Sequence, residues 1–96
     1  SSKELRSKTE SALEQMGGRN IIFGFQEVTF MDSAGIGVMI GRYKQVQSLG
    51  GRIAIACPNE KIEEMIQLSG LSRLLPTFVS LDAAIAYAEG RKSDAV

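Results

Sequence analysis

The residues best suited to chemistry sit together in the stretch FMDSAGIGVMIGRYK, residues 30–44: the acid Asp32, the adjacent hydroxyl of Ser33, and Gly35 and Gly37 just beyond. An apolar, strand-like run precedes them and a helical pattern follows. A helix start offers unpaired backbone N–H groups and the positive end of the helix dipole, so it favours negative charge. Asp32 and Ser33 are both good N-cap types. The residues alone leave two readings open. In one, the stretch is a cap followed by packing glycines. In the other it is a phosphate site, where phosphate binds or where Ser33 is itself phosphorylated and gains about −1.5 to −2 charges. Gly35 and Gly37 would then let another surface approach the backbone of the first turn.

Catalysis fits the same residues poorly. A serine nucleophile needs a base within reach, and the chain has no histidine and no lysine beside the motif. The run GIGVMIG lacks the Lys-Ser/Thr pair of a P-loop, and its glycines fall inside the helix. Gly35, Gly37 and Gly41 miss the dinucleotide fingerprint by one residue. No enzyme activity, cofactor or metal site is expected.

The chain of 96 residues is long enough for one small domain, and its hydrophobic fraction of 44% can build a core. Eleven basic and 11 acidic residues balance, which argues against bulk nucleic-acid binding. Cys57 is the only cysteine, so no internal disulfide forms; its place at the end of an apolar run suggests a buried thiol. No run is long enough to span a membrane and no signal peptide is visible, so a cytoplasmic protein is expected.

These residues must be positioned by elements that the pattern also predicts. Residues 2–16 carry Leu5, Thr9, Ala12, Leu13 and Met16 at helical spacing, with Gly17-Gly18 as a stop. Residues 19–25 read as a strand covered on both faces. After the motif, Ile36, Met39, Ile40, Tyr43 and Val46 form a helical stripe closed by Gly50-Gly51. A strand over 52–57 follows. A helix then runs from Pro58 to Gly70, capped by Asn59, with Ile62, Met65 and Ile66 inward. A short β-prone segment at 76–80, a helix over 81–89 with Leu81, Ala84, Ile85 and Ala88 inward, and a frayed tail at 90–96 complete the chain. The order α-β-α-β-α-β-α implies an α/β fold with a parallel sheet and right-handed crossovers. Such sheets place functional loops at the carboxyl ends of their strands, where Asp32 and Ser33 lie.

At VTFMDSAGIGVMIGRYKQVQSLGG the chain resembles the bacterial anti-sigma factor antagonists of the STAS domain class, the sporulation antagonists above all. The resemblance rests on Met31-Asp32-Ser33-Ala34-Gly35, on Gly41-Arg42-Tyr43-Lys44 and on the Ser69-Gly70-Leu71 turn, and it covers roughly residues 3–89 of a single domain over 1–96. It implies a STAS-like parallel sheet with helices packed against it. It also implies that Ser33 is phosphorylated by an anti-sigma factor that is a serine kinase. The unmodified antagonist binds that kinase and frees the sigma factor; a PP2C-type phosphatase resets the modified form. Sporulation or stress response would be the setting. Met31, Asp32, Ser33, Ala34, Gly35, Arg42 and Lys44 would form the partner-binding surface. Met31 is either an exposed anchor or a core filler. Arg42 and Lys44 are either contacts or solvated charges, and Tyr43 is expected to face the core. Ser69-Gly70 is expected to end the third helix. The alternative is a STAS scaffold or ligand-binding module in a larger signalling assembly.

Two departures from the family stand out. Nothing in the sequence matches the family's N-terminal β-hairpin, which predicts a bare sheet edge and hence self-association or reduced stability. And Ala34 stands where the family often has a second serine, leaving Ser33 as the only hydroxyl in the loop.

Overall fold

The computed structural model describes residues 13–17 and 19–91. In chain order they form β1 (Leu13–Gly17), β2 (Asn20–Gly24), α1 (Ser33–Leu49), β3 (Ile53–Ala56), α2 (Glu60–Ser69), a 3-10 turn (Leu71–Arg73), β4 (Thr77–Phe78) and α3 (Leu81–Ala88). The four strands make one sheet in the order β1-β2-β3-β4. The expected parallel part is there: β2, β3 and β4 run parallel, joined through α1 and α2.

The first element departs from expectation. Residues 13–17, predicted as the end of a helix, form β1, which pairs antiparallel with β2 from Leu13 opposite Gly24 to Gly17 opposite Asn20. Residues 2–12 of that predicted helix lie outside the described residues. By intrinsic preference Leu, Glu, Gln and Met are helix formers, but the open edge of β2 offers a row of unpaired backbone groups, and pairing with them outweighs propensity. Gly17, read as part of a helix stop, is instead the last residue of β1, opposite Asn20; Gly18 lies outside the described residues. The edge of β2 predicted to be bare is therefore paired, and β1 is the edge strand on that side among the described residues. At the far edge, β4 is only two residues long, and a strand that short is a poor template for further pairing.

The strand pattern divides the core. Ile21, Phe23, Ile53 and Ile55 face one side with Met39 and Val46 of α1, Ile62 and Ile66 of α2, Leu71 of the 3-10 turn and Leu75 just beyond it. Ile22, Ala54 and Ala56 face the other side and meet Ala84 and Ala88 of α3. Large side chains thus fill the two-helix layer, while alanine on alanine brings α3 close to the sheet. The helix ends follow local chemistry. Asn59 Oδ1 accepts from the Ile62 N–H at 2.8 Å and Ser80 Oγ accepts from the Ala83 N–H at 3.1 Å. Gly50 and Gly70 end α1 and α2 with φ of 70° and 86°, the left-handed region that glycine enters without a Cβ penalty. Cys57 is half-buried and flanks the alanine layer, less covered than its sequence position suggested.

Gly51 marks a different constraint. A Cβ placed there would collide with the backbone carbonyl of Arg19 in the β1–β2 connection. Gly51→Ala should therefore destabilise the chain by about 1–3 kcal/mol, because backbone rather than a flexible side chain must move. Urea denaturation of the two proteins measures this; an unchanged midpoint would mean that the hairpin connection shifts freely.

Candidate functional site

The site is built from the end of β2 outward. The Phe25 N–H donates to the Ala56 carbonyl at 2.9 Å, and the Val28 N–H donates to the Phe25 carbonyl at 3.1 Å, turning the chain. Phe25, Val28 and Met31 are buried, whereas Gln26, Glu27, Thr29 and Phe30 are exposed. Three apolar anchors thus fix the connection from β2 to α1. A second tie comes from α2: the Asn59 side-chain amide that caps that helix also donates to the Val28 carbonyl at 3.2 Å. One residue therefore caps α2 and holds the connection that leads to α1.

Asp32 then takes an extended conformation, with φ −112° and ψ −177°, and acts as the cap of α1. Its Oδ1 accepts from the Gly35 N–H at 3.1 Å, and its carbonyl accepts the first helical bond from Ile36 at 3.2 Å. This separates the two roles that the sequence left joined. Asp32 caps the helix, and Ser33 occupies its first turn, exposed to solvent.

The other predicted contact residues divide. Ala34 is exposed beside Ser33, but Gly35 is buried and offers no surface to a partner. Met31 is 2% exposed and belongs to the core, so it is not an exposed anchor. Buried aliphatic volume beneath the cap holds it there. Tyr43 packs against the core as expected. Arg42 is half-buried and donates to Gln45 Oε1 at 3.1 Å. By helix geometry it lies about 13 Å along α1 from Ser33 and about half a turn around it, so it is not part of the same face. Lys44 lies about 16 Å along α1 but nearly in line with Ser33. Ser33, Gly37, Gly41, Lys44 and Ser48 form one exposed stripe.

The sequence reading overlooked two apolar residues at the strand ends. Phe30 is 62% exposed just before the cap, and Val79 is 93% exposed just after β4. Val79 follows the strand partner of Ala56 and precedes the Ser80 cap, so it lies at the same carboxyl end of the sheet as the α1 start. Its place between a strand and a cap is the one sequence signal that could have found it. The rim thus combines an exposed hydroxyl, a helix N-terminus and exposed apolar side chains, an arrangement suited to docking and charge switching. Among the described residues no group of three or more His, Cys, Asp or Glu side chains could hold a metal ion. No helix there is long and apolar enough to cross a membrane.

Comparison with known proteins matches residues 1–84 to the model of the STAS domain. The chain is 30% identical over 74 residues to an anti-sigma F factor antagonist of Paenibacillus polymyxa, covering 77% of this chain and 63% of that protein. It is also 30% identical over 71 residues to the anti-sigma-B factor antagonist of Bacillus subtilis, covering 74% and 63%. The chain therefore spans less than two thirds of either relative. Among solved structures, the crystal structure of the Thermotoga maritima protein TM1081 superposes with a TM-score of 0.69 at 18% identity, over 85% of this chain and 97% of that one, a likeness of fold.

The cap assignment has a direct consequence. Asp32→Ala should cost about 0.5–2 kcal/mol, and Asp32→Asn, which keeps an acceptor oxygen, should cost clearly less. Denaturation midpoints of the two variants check this. Equal losses would transfer the effect from the hydrogen bond to the carboxylate charge.

Proposed function

The chain belongs to the STAS domain family, and from that premise we propose that it is an anti-sigma factor antagonist switched by phosphorylation of Ser33. In the unmodified state it docks an anti-sigma factor that is also a serine kinase, and so frees the sigma factor. The kinase transfers the terminal phosphoryl group of ATP to Ser33 Oγ: the Oγ–P bond forms, the bond to the ADP leaving group breaks, and the hydroxyl proton departs. A PP2C-type phosphatase hydrolyses the ester and restores the hydroxyl. The protein itself is a substrate and a binding module of the cytoplasm, not an enzyme.

The observation that carries this reading is the separation of Ser33 from the cap. Asp32 holds the helix start, so Ser33 is exposed and can change its charge without undoing the fold. A charge of about −2 at a helix N-terminus is tolerated or mildly favourable, worth about 0.3–1 kcal/mol. The cost then falls on the complex. Phe30 and Val79 give the rim an apolar character, and a phosphate brought into an apolar contact must lose water without gaining a partner.

The stripe along α1 supports a docking face that runs on from Ser33 through Ala34 to Lys44. Gly37 and Gly41 are exposed, and a Cβ at either would meet nothing within 4 Å. Each costs the helix about 1 kcal/mol relative to alanine, with no return in packing within this chain. Bare helix backbone lets another surface come closer than a side chain would allow.

Two experiments test the proposal. Wild type and Ser33→Ala are incubated with host lysate and ATP, and modification is followed by intact mass. Wild type should gain one phosphate and Ser33→Ala none, while Ser33→Ala retains a kinase-type partner that Ser33→Asp loses. If neither form is modified and no such partner is held, Ser33 is an ordinary first-turn residue, and the scaffold or ligand-binding reading replaces this one. Separately, Gly41→Ala should raise stability by about 0.5–1 kcal/mol while weakening capture of the same partner. A gain in stability with unchanged capture would confine the docking face to the first turn.

A further inference from the structure

We draw no further inference here: the strongest candidate, the exposed leucines Leu68 at the end of α2 and Leu74 just beyond the 3-10 turn, is an apolar surface for which nothing in the structure shows what covers it.

Discussion

The fold depends on keeping β3 dry on both faces. Its four residues are at most 4% exposed, and three of them are fully buried. A strand without access to water cannot leave its backbone groups unpaired, so it needs a strand on each side. β2 and β4 fill those places in parallel. Parallel neighbours cannot be joined by a tight turn, and the connections must cross over through helices. Every parallel strand therefore ends at the same rim, and every following helix begins there. The place of Asp32 and Ser33 follows from burying Ile53–Ala56.

The alternation within β3 sets the thickness of each layer. Isoleucines point toward α1 and α2, alanines toward α3. The isoleucine layer needs bulk from its helices, and α1 supplies it with Met39 and Val46, helped by half-buried Ile36, Ile40 and Tyr43. That stripe meets the packing requirement of α1 by itself. The opposite face of the helix is left with no structural duty, and it is there that Gly37 and Gly41 lie. A helix whose core face is rich in large side chains can carry exposed glycines without losing its place in the fold.

Much of this was legible in the sequence because it is local. Asn59 and Gly70 bound α2 where a cap and a left-handed stop were expected, and Gly50 closes α1 in the same way. The parallel strands could be read as short apolar runs between such signals. What escaped was decided at a distance. β1 exists because β2 has an edge to fill, and nothing within residues 13–17 announces that pairing. The burial of Met31 and Gly35, and the exposure of Phe30, depend on how the segment after β2 turns. That turn is set partly by Asn59, a residue far along the chain. The motif could be found from residue types alone; which of its residues reach solvent could not.

The division between Asp32 and Ser33 also bears on how a modification at this site can signal. Were the serine the cap, esterifying its oxygen would alter the first hydrogen bond of α1, and the signal would be mixed with a change in stability. Here the hydrogen bond to Gly35 belongs to a carboxylate that a serine kinase does not modify. Under the proposed switch the scaffold would be the same in both states, and the difference would lie at the surface. A switch of that kind needs only a modest penalty in the complex, since about 1.4 kcal/mol is already a tenfold loss of affinity. Stripping water from a phosphate beside exposed apolar side chains exceeds that easily. A small domain with little stability to spare would gain from such an arrangement, because the proposed signal would be carried by binding rather than by folding.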